Sequence, residues 1–216
     1  MSVTVYPLTL AIDTAGPRLQ LALHGRTGDG RHVAEAGVED LAKGHAERIL
    51  PAISELLAHH GLALRDIARI GVTSGPGSFT GLRIGLSAAR GLAMGLGVPA
   101  LGIPTLLALS LSGPAEAPFT ILLDARRDEA YRQRFSAPGR PEDAAGLMPI
   151  NEARALIGPD EPVLETPFCD IGRLARFAAE ANPEAFPPEP LYLRGADAKP
   201  QDKARIARLP GGEAVS

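Results

Sequence analysis

Leu8-Thr-Leu-Ala-Ile-Asp-Thr-Ala-Gly-Pro-Arg-Leu-Gln-Leu-Ala-Leu23 holds two apolar runs separated by an acid at a turn. Leu8 to Ile12 reads as a strand and Asp13-Thr14-Ala15-Gly16-Pro17 as its stop. Leu19 to Leu23 then resumes with alternating polarity, so strand, tight turn, strand is the natural reading. The theme returns late in the chain, with a strand over Phe119–Leu123, a turn over Asp124–Asp128 and a second strand over Glu129–Phe135. Two hairpin-led lobes with helical segments between them define an α/β protein of duplicated design. Gly113 to Pro118 marks the boundary, giving lobes of residues 1–113 and 114–195. Residues 196–216 turn polar and small, and are expected to form a mobile tail.

Around the first hairpin, a turn over Gly25–Gly30 leads to a third strand near His32–Ala36. Gly44 to His60 has helical periodicity, with Ile49, Leu50, Ile53, Leu56 and Leu57 on one face and Gly61 as the stop. Pro51 predicts a kink there, because it lacks an amide donor and crowds the preceding turn. Ile67 to Thr73 reads as a buried strand, and Ser74–Ser78 as a glycine-rich turn. A long helix follows over Ser78–Leu96, with the stripe Phe79, Leu82, Leu86, Ala89, Ala93 and Leu96. Gly81, Gly85 and Ala89 form a row of small residues beside that stripe. Glycine costs roughly 1 kcal/mol against alanine inside a helix, so the row implies close backbone approach, either by the chain's own sheet or by another subunit. Ala137–Pro149 reads as a loop, Ile171–Asn182 as a short helix and Pro190–Leu193 as an extended piece.

The 216 residues are 45% hydrophobic and 22% charged, with 4% aromatics and no Trp, so Leu, Ile, Val and Ala must build the core. The net charge of -3 lacks the basic footprint of a protein that grips nucleic acid by itself, so any RNA would be held largely by another chain. A single cysteine, Cys169, excludes an internal disulfide. The first residues lack the pattern of a signal peptide. Arg90, Pro99 and Pro104 interrupt the apolar region Ile84–Leu111 before it reaches the ~18 residues of a membrane span. The expected location is the cytoplasm, with no membrane contact.

Gly75-Pro-Gly-Ser-Phe-Thr-Gly81 sits between a strand and a helix, where free amides attract anions, so Gly75, Gly77 and Ser78 are candidates for a phosphate vicinity. A purely structural turn and helix cap is the competing reading. No Gly-Lys-Ser/Thr follows, as a Walker A loop requires, and Thr80 stands where a dinucleotide fingerprint needs glycine. Asp13, with Thr14, and Asp124 end strands at equivalent hairpins, the places where acids of kinase-like folds hold phosphate and Mg²⁺ across a cleft. Against that reading, the second turn carries Arg126 and Arg127 instead of small residues. His24, His32, His45, His59 and His60 include no pair at i, i+4, so no metal site is expected. No Gly-x-Ser-x-Gly elbow occurs.

The run Val72-Thr-Ser-Gly-Pro-Gly-Ser-Phe-Thr-Gly-Leu-Arg-Ile-Gly-Leu-Ser-Ala-Ala-Arg-Gly-Leu-Ala-Met-Gly-Leu-Gly-Val-Pro99 resembles the signature of the TsaB (YeaZ) family. Leu10–Thr14, Gly44–Pro51, Leu122–Arg126 and Leu191–Arg194 match other family segments in order. The resemblance implies an actin-like, sugar-kinase and Hsp70-like (ASKHA, ribonuclease H-like) fold of two lobes. It implies a dimerisation subunit without catalytic residues of its own. That subunit supports a TsaD-type enzyme in making N6-threonylcarbamoyladenosine beside the tRNA anticodon. The implied partners are TsaD, the ATPase TsaE and, through the same helices, a second copy, with tRNA reached indirectly. No tightly bound cofactor is implied, and ATP or ADP with Mg is confined to the assembled complex. The implied partner interface comprises His45, Ile49, Leu50, Ile53, Phe79, Leu82, Arg83, Gly85, Leu86, Ala89 and Arg90. A charge at Gly85 or Ala89 is expected to break assembly while leaving the chain folded. The alternatives are an ATP-dependent phosphotransferase using Asp13 and Asp124, and a glycoprotease-type metallopeptidase.

Overall fold

The computed structural model describes residues 6–41 and 43–194. The expected mobile tail lies outside the described residues. The first hairpin forms as read: β1 (Thr9–Asp13) and β2 (Arg18–Arg26) pair antiparallel, with Leu10 opposite Leu23 and Ile12 opposite Leu21. β3 (His32–Asp40) runs further than expected and pairs antiparallel with β2 along its whole length. β4 (Arg69–Gly75) and β5 (Ala100–Pro104) add in parallel, giving the order β3-β2-β1-β4-β5. β5 was missed in the sequence because Pro99 and Pro104 bracket only a few apolar residues.

α1 (His45–Ala58) and α2 (Phe79–Leu96) cover one face of this sheet. Ile49, Ile53, Leu57, Leu86 and Ala89 pack there on Leu10, Ile12, Leu21 and Ile70. α1 runs on through Pro51, which is exposed. Arg48 ties it to the sheet, donating to Glu39 of β3 at 2.8 Å and to Glu55 about two turns further along α1. The other face is covered by α3 (Thr105–Ser110) and α5 (Ile171–Glu180), around Ala11, Ala22, Leu101 and Ile103.

The second sheet has β6 (Phe119–Arg126) paired antiparallel with β7 (Glu129–Ala137), which realises the second hairpin. Ala137–Pro149 is not the loop expected from its composition. It contains β8 (Arg140–Pro141) and β9 (Gly146–Pro149), both paired with β7. Strands this short carry no readable alternation, and the β7 edge recruits them. α4 (Ile150–Ala155) and β10 (Val163–Leu164) complete the lobe, β10 lying parallel to β6.

The sheets divide near residue 113, but the chain does not stay on one side of that division. α5 packs on β1 and β2 of the first sheet. The Arg69 guanidinium of β4 caps its C-terminal end, donating to the carbonyls of Ala178 at 2.9 Å and Ala181 at 2.7 Å. Further on, the Gly102 amide donates to Phe186 O at 3.0 Å and the Leu191 amide to Ser74 O at 2.7 Å. Phe119 and Phe135, stacked 5.7 Å apart, share a core with α3 and α5. Among the described residues, no helix is long and apolar enough to cross a membrane.

Candidate functional site

The expected interface residues divide by exposure. His45, Ile49, Ile53, Leu82, Gly85, Leu86 and Ala89 are buried in the chain's own core. The small-residue row therefore answers to the chain's own hairpin and not to a second protein. A Cβ on Gly81 would collide with the Thr14 carbonyl, and one on Gly85 with the Thr14 hydroxyl. Thr14 Oγ1 in turn donates to Gly81 O at 2.8 Å. A charge at Gly85 or Ala89 would accordingly damage the fold, which corrects the expectation that it would spare it.

Leu50 and Phe79 are 52% and 55% exposed, and Arg83 and Arg90 are also exposed. Between α1 and α2 runs an open groove of ≈ 750 Å³, floored by Ile49 and walled by Leu50, Phe79, Ile84, Ala88 and Leu92. The Arg83 guanidinium stacks 3.8 Å over the Phe79 ring, and Tyr192 lies 5.7 Å from the same ring. A charged group over an aromatic face at the rim of an apolar groove suits protein contact more than solvent. Sequence reasoning missed Ile84, Ala88 and Leu92. Their signal was a second apolar set at four-residue spacing, turned roughly 100° or more round the helix from the stripe.

A second concavity, ≈ 1090 Å³, lies between the lobes, lined by Lys43, Glu47, Gly77, Ser78, Thr80, Asp124, Arg126 and Glu165. Of the candidate phosphate residues, Gly77, Ser78 and Asp124 line it. Asp13, Thr14 and Gly75 lie behind it, buried. The Asp13 carboxylate accepts from the Ala15 amide at 2.9 Å, Thr73 Oγ1 at 2.7 Å, Gln20 Nε2 at 2.8 Å and Cys169 Sγ at 3.5 Å. Four donors occupy its lone pairs. Burial, then the adjacent Asp13 charge, pushes the Cys169 thiol well above its usual range.

The glycine-rich turn is engaged in the same way. Ser78 caps α2, its Oγ accepting from the Gly81 amide at 3.2 Å, while its own amide donates to Ala15 O at 2.7 Å. Asp124 is exposed and accepts from the Arg126 amide at 2.7 Å. Arg126, Arg127 and Asp128 follow with φ of 61°, 56° and 60°. This left-handed turn puts long side chains where a phosphate would need open backbone.

The histidines scatter. His45 Nε2 lies 3.2 Å from Arg18 O, His59 Nδ1 lies 3.1 Å from Glu35, and His60 pairs with the same Glu35. Among the described residues, no three His, Cys, Asp or Glu side chains converge as a metal site would need.

A family model described as TsaD, tRNA N6-adenosine threonylcarbamoyltransferase, matches residues 32–191. TsaB of Escherichia coli is 34% identical over 154 residues, covering 70% of this chain and 62% of that one. An uncharacterized Mycobacterium tuberculosis protein is 34% identical over 201 residues, 88% of this chain and 93% of its own. The solved structure of YeaZ from Pseudomonas aeruginosa superposes with a TM-score of 0.69 at 25% identity, covering 87% of this chain and 100% of that one. The chain belongs to the TsaB/YeaZ branch of this family. The two-lobed actin-like fold is that of the branch. The chain spans 51% to 62% of the length of the TsaB relatives from Haemophilus influenzae, Bacillus subtilis and Escherichia coli.

Proposed function

We propose that this chain is a non-catalytic partner subunit in the synthesis of threonylcarbamoyladenosine in tRNA, docking a TsaD-type enzyme on the α1/α2 groove. The observation that carries the reading is the pairing of an open apolar groove with a cleft whose buried acid is fully engaged. Leu50, Phe79, Ile84 and Leu92 offer apolar area to a helix, Arg83 offers charge at the rim, and Arg90 is exposed further along α2. Asp13 holds the hairpin, β4 and the Cys169 segment together, which is a structural use of the acid that a phosphotransferase would spend on metal. Any ATP or ADP with Mg then belongs to the assembled complex, an ATPase of the TsaE type joins that complex, and tRNA is reached through the enzyme. The cytoplasm, where tRNA is modified, is the proposed location.

The test is size-exclusion co-elution with the TsaD-type enzyme of the same organism, paired with an ATPase assay of the isolated chain. The reading expects a stable complex and no turnover alone. Separate elution, or Mg-ATP hydrolysis lost in Asp13→Ala, would turn attention to the cleft.

A further inference from the structure

Residues 186–194 form neither helix nor strand, yet they run as a strap pinned at both ends and in the middle. Phe186 O accepts from the Gly102 amide on β5, and the Leu191 amide donates to Ser74 O near the end of β4. The fit on β4 is close, since a Cβ on Gly75 would collide with the Leu191 carbonyl. The strap then crosses to the second sheet. The Arg194 guanidinium donates to Ala125 O at 2.9 Å and pairs with Glu129 Oε2 at 2.7 Å, both on the β6–β7 hairpin. Between these last two anchors lies Tyr192, half-exposed, its ring 5.7 Å from that of Phe79. Arg83 stacks over the same Phe79 ring, and its Nε approaches Tyr192 Oη at 3.4 Å. The aromatic and cationic rim of the groove is therefore a cluster of three side chains, one of which belongs to neither α1 nor α2.

We propose that Tyr192 is a positioning residue of the α1/α2 groove, holding Phe79 and Arg83 in the arrangement a docked enzyme meets, and that Arg194 fixes Tyr192 from the second lobe. The inference rests on the docking reading above and adds to it a residue outside the two groove helices. Exposed Phe and Arg side chains sample several rotamers in water, and freezing each on association weakens binding by roughly two- to tenfold. A ring packed beside Phe79, with a hydroxyl in reach of Arg83, restricts both before the partner arrives. The backbone at Tyr192 is itself held, because Leu191 is tied to β4 on one side and Arg194 to the hairpin two residues on. The groove rim is thus set by the second lobe as well as by the helices that form its walls. A strap that only closed the edge of the first sheet would affect stability and leave affinity alone.

Titration calorimetry of the full chain against the TsaD-type enzyme, with a melting temperature for each variant, tests the assignment. Tyr192→Ala should bind about tenfold more weakly at an unchanged melting temperature, and Tyr192→Phe, which keeps the ring, should restore affinity to within about twofold. Arg194→Ala releases the anchor on the second lobe and should also weaken binding. The double variant should bind no more weakly than Tyr192→Ala alone, because both changes act through one side chain. Leu50→Asp is the control for the groove itself. Weak binding by Leu50→Asp beside wild-type affinity in Tyr192→Ala would overturn the inference and leave the docking reading standing. Wild-type affinity in Leu50→Asp would remove that reading, and the inference with it. A lowered melting temperature with unchanged affinity in Tyr192→Ala, or losses that multiply in the double variant, would likewise overturn the positioning role.

Discussion

Asp13 joins three segments far apart in sequence: its own hairpin, Thr73 of β4 and Cys169 before α5. Asp13→Ala leaves buried donors on Thr73 and Gln20 without partners, so stability should fall by about 3 kcal/mol in chemical denaturation. A change within error would mean the hub is idle. Cys169 gives a second, signed expectation. Its folded value is raised, so the folded state keeps the proton while the unfolded thiol loses it. Stability should therefore be intact below the ordinary thiol range and fall by about 1.4 kcal/mol per pH unit above it. Comparing alkaline denaturation of the protein with that of Cys169→Ala isolates this slope, which the variant should lack. The position of Asp13 at a strand end was legible in the sequence. Its saturation was not, because the donors come from positions 20, 73 and 169.

Burial separates the two faces of α1 and α2, and substitutions should follow it. Leu50→Asp places a charge on an exposed apolar wall of the groove. It should cost ~2 kcal/mol or more in binding a TsaD-type enzyme, about 30-fold, while moving the folding midpoint by less than ~0.5 kcal/mol. Gly85→Asp should instead fail to give a cooperative melt, since its side chain would have to displace Thr14. Titration calorimetry and thermal denaturation of the two variants check both statements. A folded Gly85→Asp that merely fails to bind would restore the interface first read from the sequence. Helical period located α1 and α2 to within a residue or two at most ends. It could not say which apolar face turns outward, because both faces of α2 carry apolar residues and only the sheet decides between them. β8, β9 and β10 were invisible for a different reason: two to four residues carry no period, and pairing with a longer strand makes them.

The two lobes are not independent bodies in the chain. α5 comes after the second sheet yet covers β1 and β2, and Arg69 fixes its end. A fragment of residues 1–113 would leave Ala11, Ala22, Leu101 and Ile103 without that cover. It should show no cooperative unfolding transition by circular dichroism, and a sharp transition would show that the first lobe folds without α5. The duplicated hairpins made two lobes readable from sequence, but the return of α5 depends on long-range packing that no local pattern announces. The proposed partner role rests on the open helix groove together with a buried Asp13 whose carboxylate is engaged by four donors.

The most direct test is threonylcarbamoyl transfer to tRNA by the reconstituted TsaD-type enzyme, its ATPase and the adenylate-forming enzyme. It would be run without this chain, with it, and with folded Leu50→Asp. The expected result is modification only with the wild-type chain, falling with Leu50→Asp in proportion to lost binding. Equal modification without the chain would contradict the partner-subunit reading, and full activity with Leu50→Asp would contradict docking on the α1/α2 groove.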